Sequence, residues 1–173
     1  MLRLIHPCEA YLASYTEAFD EYTRFPRRSG NPYRNPHVQD VLAYFDNMRN
    51  ARDLPAGYVG STTFWLVDDE QQRFLGQIDI RHELTERLLR YGGHIGYAVR
   101  LGEWNKGYGT LMLSLALPHA KETGITRCLI TCDDDNPGSA RVMEKNGFTL
   151  GDKVPNVIDG RAIITRRYWK ELD

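Results

Sequence analysis

The stretch that decides the fold is His94-Ile95-Gly96-Tyr97-Ala98-Val99-Arg100, followed after Leu101, Gly102 and Glu103 by Trp104-Asn105-Lys106-Gly107-Tyr108-Gly109-Thr110 and then by the apolar run Leu111 to Leu117. Its first part, opened by Gly92 and Gly93, is rich in β-branched and aromatic residues and reads as a strand. Gly107 to Glu122 is the most apolar helical segment of the chain, and Pro118 inside it removes one backbone donor, which predicts a kink. Between strand and helix lies a glycine-rich turn. The first amides of a helix have no partner within it and sit at the positive end of its dipole, and glycine lets a phosphate come close to them. Asn105, Lys106, Gly107, Tyr108, Gly109 and Thr110 are therefore a candidate phosphate cradle. No third glycine follows Gly109 at the spacing of a dinucleotide fingerprint, and no Gly-Lys-Ser/Thr of a nucleoside-triphosphate loop is present.

Outward from this segment the period alternates between two and three to four. Upstream, Thr62 to Val67 and Phe74 to Arg81 read as a hairpin around the polar turn 68–72, and Thr85 to Arg90 as a helical turn. Leu2, Leu4 and Pro7 suggest a short opening strand, with helices expected over Glu9 to Tyr22 and His37 to Arg52. The connection from Pro26 to Pro36 is rich in turn formers and is either a surface connection or a lid, with Arg27, Arg28 and Tyr33 as candidate lid residues. Downstream, Thr126 to Cys132 is a strand and Pro137 to Asn146 a helix, with Asn136 as N-cap and Gly147 just past its end. Phe148 to Trp169 reads as two strands around Asp159-Gly160. The order predicts one α/β domain over residues 1–173, with no repeats.

Composition narrows the function classes. The chain has 173 residues and a formal net charge of -1, with 42% hydrophobic and 26% charged residues, the profile of an ordinary globule that can bury a core without staples. The balance lacks the basic excess of a nucleic-acid binder. Leu111 to Leu117 stops at Pro118, far short of a membrane span, and Arg3, His6 and Glu9 interrupt any signal-peptide apolar region, so the expected location is the cytoplasm, with no membrane partner. Cys8, Cys128 and Cys132 form no Cys-x-x-Cys pair, which argues for reduced thiols and no metal site.

A second segment gives the cradle its meaning: the strand to Cys132 leads into Asp133-Asp134-Asp135-Asn136-Pro137-Gly138-Ser139 and on to Gly147-Phe148. Over residues 92–148 the chain resembles the GCN5-related N-acetyltransferase (GNAT) superfamily. In that family an Arg/Gln-x-x-Gly-x-Gly/Ala turn holds a pyrophosphate, matched here from Trp104 to Gly109, and an Asn caps a helix ending in Gly-Phe, matched by Asn136 and Gly147-Phe148. Arg81-His82-Glu83-Leu84 with the Gly92 to Tyr97 strand looks like a bacterial subgroup of acetyltransferases. The resemblance implies a central twisted mixed sheet with helices on both faces and acetyl-CoA as co-substrate. It implies cofactor contacts from the backbone of Tyr97, Ala98 and Val99, from the cradle, and from Asn136 and Ser139, and it is compatible with a homodimer. Two positions depart from the pattern: Trp104 stands in place of Arg or Gln, and Met143 where many members carry a Tyr that protonates the departing thiolate. The Asn136, Ser139, Val142, Glu144, Lys145 pattern is closer to the branch related to ribosomal-protein and N-terminal acetyltransferases.

The reaction so implied is direct attack of a primary amine of a small molecule or a peptide N-terminus on the thioester, with the oxyanion held by a backbone N–H of the strand. An alkyl amine with pKa about 10.4 is unprotonated in about one molecule in 2,500 at pH 7, whereas a thiolate leaves readily, so a base matters more than an acid. His94 is the first candidate base, Asp79 the second and His82 the third. Cys132 as an acetyl-carrying nucleophile is disfavoured, since nothing near it in sequence would depress its pKa. Asp133 to Asp135 is either a solvated loop with helix-cap charge or an attractor for a cationic acceptor. A non-catalytic acyl-CoA-binding or sensing module is the alternative function.

Overall fold

The structure, a computed structural model, describes residues 1–25 and 30–172. Its strands are β1 (Leu2–Ile5), β2 (Ser61–Asp68), β3 (Arg73–Arg81), β4 (Ile95–Val99), β5 (Arg127–Asp133), β6 (Thr149–Ile158) and β7 (Arg161–Glu171). They form one sheet in the order β1-β2-β3-β4-β5-β7-β6, antiparallel at every step except β4 to β5. The helices are α1 (Leu12–Arg24), α2 (Val41–Arg49), α3 (Glu86–Arg90), α4 (Tyr108–Glu122) and α5 (Pro137–Lys145).

Both faces of the sheet are covered because its central strands are apolar on both sides. Along β2, Phe64 and Leu66 pack with Met112, Leu113 and Ala116 of α4, while Trp65 and Val67 pack with Tyr15 and Phe19 of α1 and Phe45 of α2. Tyr15 stacks on Trp65 at a centroid distance of 4.6 Å. The buried Arg100 ties α1 to the end of β4 through Glu21 at 2.5 Å and Glu17 at 3.1 Å.

Local chemistry sets the boundaries. The second helix is shorter than its apolar pattern suggests: it begins at Val41, where Asp40 accepts the Ala43 amide at 3.0 Å, and 36–38 form a turn before it. The first helix opens with a 3-10 turn, Glu9–Tyr11, in place of regular helix. α4 continues past Pro118 to Glu122, with Ala116 and Ala120 buried on either side of it. Of the candidate lid residues, Arg27 and Arg28 lie outside the described residues. Tyr33 is buried, and its hydroxyl donates to the Ala98 carbonyl at 3.4 Å.

Candidate active site

The site begins with a defect in the sheet. β4 and β5 share a single ladder pair, Ile95 with Ile130, and beyond it the two strands part toward their C-terminal ends. A parallel pair that splays in this way opens a crevice where ligands of α/β sheets gather. Both helices that follow these strands, α4 after β4 and α5 after β5, begin at this opening.

The turn into α4 is built for close approach. Asn105 and Gly107 have φ of 61° and 84°, and Gly107, the N-cap, carries no side chain to satisfy the helix amides. The first bond back toward the helix start is Leu111 N–H to the Gly107 carbonyl at 3.1 Å, so the amides of Tyr108, Gly109 and Thr110 precede the helical ladder. A Cβ on Gly109 would meet Val142 Cγ2 at 3.2 Å, which makes this glycine the point of contact between α4 and α5. Asn146 closes the same junction by donating to the Thr110 carbonyl at 3.2 Å. On the other helix the Asn136 side chain accepts the Ser139 amide at 3.1 Å.

These elements enclose a cavity of about 530 Å³. Of the residues the sequence singled out, Tyr97, Ala98, Val99, Asn105, Gly107, Tyr108, Gly109, Thr110, Asn136 and Ser139 line it. Lys106 does not: it turns back to Glu103 at 2.8 Å, which also holds Arg73 at 2.9 Å and so braces the turn. Sequence reasoning missed Tyr22, Arg141 and Lys145, which also line the cavity. Tyr97 reaches across the gap between the strands to Ser139 Oγ at 2.7 Å, and burial pushes its phenol pKa up. Trp104 and Tyr22 both donate to the Val99 carbonyl, at 3.0 and 2.8 Å, so that oxygen is already fully engaged. Met143 is fully buried in the core and lines neither this cavity nor its neighbour.

A second cavity, about 360 Å³, lies on the α1 and α2 side of the sheet and shares Pro32 with the first. Gln77, Asp79 and Arg81 of β3 reach into it, beside Tyr33, Arg34 and Tyr44. Asp79 faces Gly96 across the β3–β4 ladder, so no side chain of β4 covers its carboxylate. Asp79 accepts from Thr63 Oγ1 at 2.5 Å and from Gln77 Nε2 at 3.0 Å. Burial raises its pKa, opposed by those two hydrogen bonds and by the charges of Arg81 and Arg34.

The other candidate groups are engaged elsewhere. His94 lines neither cavity, is buried, and accepts the Leu129 amide on Nδ1 at 3.0 Å; burial and the Arg81 charge lower its pKa. His82 meets Thr62 Oγ1 at 2.8 Å. Burial pushes the Cys132 thiol up to about 11. Asp133, Asp134 and Asp135 line neither cavity, and Asp134 is held by Arg166 at 2.5 Å and Lys153 at 2.7 Å. Among the described residues no group of His, Cys, Asp and Glu is placed to hold a metal, and no helix is long and apolar enough to cross a membrane.

Comparison with known proteins agrees with this arrangement. A family model described as Acetyltransferase (GNAT) domain matches residues 2–149. None of the curated proteins matches the chain. Among solved structures, a ribosomal L7/L12 alpha-N-protein acetyltransferase in complex with coenzyme A is 17% identical with a TM-score of 0.72, over 99% of this chain and 94% of that one. The ribosomal-protein-S5-alanine acetyltransferase of Vibrio fischeri is 18% identical with a TM-score of 0.71, over 99% and 92%. A Salmonella typhimurium protein solved with its cofactor acetyl-CoA is 17% identical with a TM-score of 0.66, over 99% and 94%. At these identities the structural likeness speaks for the fold.

Proposed function

Because the chain belongs to the GNAT acetyltransferase family, we propose that its larger cavity holds acetyl-CoA and its smaller one a primary amine, with acetyl transferred by direct attack in a ternary complex. One observation carries this reading: two neighbouring cavities share Pro32, one lying at the open seam under an uncapped helix N-terminus and the other around a carboxylate that faces a glycine of the seam strand β4.

The amides of Tyr108, Gly109 and Thr110 take the diphosphate, and Arg141 and Lys145 add positive charge beside them. The pantetheine arm runs along β4, where Trp104 and Tyr22 close the Val99 carbonyl to it and Tyr33 occupies the Ala98 carbonyl, so the bonds fall to the backbone of Tyr97 and the amides of Ala98 and Val99. This fixes the thioester near Gly96, with a β4 amide turned to the oxyanion.

Asp79 is the base in this scheme. Its raised pKa brings it nearer the ammonium it must deprotonate, and Thr63 and Gln77 hold it in place. The amine nitrogen then attacks the carbonyl carbon, and the C–S bond breaks to release the thiolate. The proton taken from the ammonium stays on Asp79 until it exchanges with solvent, and the second proton shed by the attacking nitrogen passes to solvent or to the leaving sulfur, which leaves one N–H on the amide. His94 takes no part in proton transfer here, since its Nδ1 lone pair is bound to the Leu129 amide.

Calorimetric titration with acetyl-CoA, followed by an assay of coenzyme A release with an amine panel, tests the reading. Binding with amine-dependent thiol release is expected. Tight binding with no turnover across a broad panel would instead make the chain an acyl-CoA-binding module.

A further inference from the structure

The smaller cavity has an unusual charge pattern. Arginines that are not surface-exposed elsewhere in the described chain each hold a carboxylate: Arg73 holds Glu103 at 2.9 Å, Arg100 holds Glu21 at 2.5 Å, Arg166 holds Asp134 at 2.5 Å, and Arg167 holds Asp152. Arg34 and Arg81 break the pattern, and both line this cavity. Among the described residues neither has a carboxylate within ion-pair distance. Arg34 donates to Tyr44 Oη at 2.5 Å and lies over that ring at 4.4 Å. Arg81 spends Nη1 on the carbonyls of Gly92 and Gly93, at 2.8 and 2.9 Å, which leaves Nη2 without a partner among the described residues and fixes the guanidinium. Arg87 stands exposed at the same cavity.

A guanidinium withdrawn from water without an anion is costly, and its planar fork is suited to two parallel bonds to a carboxylate or phosphate. Among the described residues Asp79 is the one carboxylate in the lining, and it is bonded to Thr63 and Gln77. We propose that the amine acetylated here carries an oxyanion of its own, and that Arg34 and Arg81 bind it while Asp79 meets the amine. This rests on the acetyl-transfer reading and names its substrate class.

Spacing favours a small amino-acid-like acceptor. Asp79 and Arg81 lie two residues apart on one face of β3, about 7 Å between Cα atoms. Side chains of that length converge on an ammonium and an oxyanion only a few bonds apart. A polyamine would place a second cation against the guanidinium groups, and the acidic run Asp133 to Asp135 lies outside the cavity.

The test measures coenzyme A release with paired amines: glycine, β-alanine and glutamate against their carboxamides, O-phosphoethanolamine against ethanolamine, and spermidine. The carboxylate-bearing or the phosphate-bearing member should exceed its neutral partner by roughly ten- to a hundredfold in kcat/KM, as expected for charge-assisted bonds. Which series shows the larger ratio identifies the oxyanion. Arg34→Gln should collapse the ratio toward one at unchanged acetyl-CoA affinity, and Arg34→Lys should restore part of it. Equal or faster turnover of the amides, ethanolamine or spermidine overturns the anionic acceptor and leaves acetyl transfer standing. Acetyl-CoA binding with no turnover of any amine overturns both, as does failure to bind acetyl-CoA.

Discussion

Replacing Asp79 with Asn separates chemistry from stability in one substitution. The Asn amide can meet both existing partners, its oxygen accepting from Gln77 and its nitrogen donating to the Thr63 hydroxyl, so the cavity keeps its shape. A positioned base is worth about 10²- to 10⁴-fold, so kcat/KM at pH 7 should fall by that order. The free fraction of an alkyl amine rises about 100-fold between pH 7 and pH 9, and the variant's rate should rise with it, while the wild-type rate climbs less steeply. Thermal stability should move the other way. The folded pKa of Asp79 lies above its unfolded value because of burial. Its contribution to stability is thus fully present below the unfolded pKa and lost as pH rises through the folded one. At neutral pH the ionised group costs stability that Asn does not, so the melting temperature of D79N should exceed that of wild type near pH 7 and lose the advantage near pH 3. Scanning calorimetry and coenzyme A release at pH 6 to 9 read both effects. A variant that turns over normally at pH 7 refutes the assignment of the base, and one that melts lower at pH 7 refutes the view of Asp79 as a group held at a cost.

Three further substitutions probe the frame. Gly109→Val would drive side-chain atoms into Val142 and Val99; we expect a loss of about 1–3 kcal/mol and at least a tenfold weaker acetyl-CoA affinity by calorimetry, and unchanged affinity in a folded variant would remove the cradle. His94→Ala leaves the buried Leu129 amide without its acceptor, which should cost about 1–3 kcal/mol in urea unfolding while the pH profile of turnover keeps its shape; a changed profile would return His94 to the chemistry. Arg100→Ala strands Glu21, whose Oε2 is already buried and has no partner among the described residues, and should destabilise by about 3 kcal/mol or more; a loss under 1 kcal/mol would show the cluster to be solvated.

The parts of the fold legible in the sequence were those whose information is local. Asn136 before Pro137 and Asp159-Gly160 between two alternating runs state their own geometry, and both stand where the spacing put them. The glycine-rich start of α4 was readable because its signal is local: Gly107 is the N-cap, in the left-handed region. Partners distant in sequence were not readable. Lys106 reads as available in sequence, but Glu103, buried by the fold, claims it, and nothing local marks Arg141 and Lys145, which reach the cavity only because α5 docks beside α4. His94 ranks above Asp79 in sequence on its place at the strand start, as the resemblance implies, and on its ordinary solution pKa; in the fold one side chain turns to the Leu129 amide and the other to a cavity. That, among the described residues, Arg34 and Arg81 have no carboxylate within ion-pair distance is a tertiary fact with no sequence signal at all.

The parting of β4 from β5 after Ile95 and Ile130 leaves the molecule with an interior hem that no strand of its own stitches. An extended amide-bearing arm laid there would serve as a borrowed rung, joining two halves of the sheet that share a single ladder pair. The occupied protein should therefore resist heat and proteolysis in proportion to the concentration of its acyl carrier, by about 2.7 kcal/mol at a hundred times the dissociation constant. Supply of the carrier would then govern how long each copy survives as well as how fast it works.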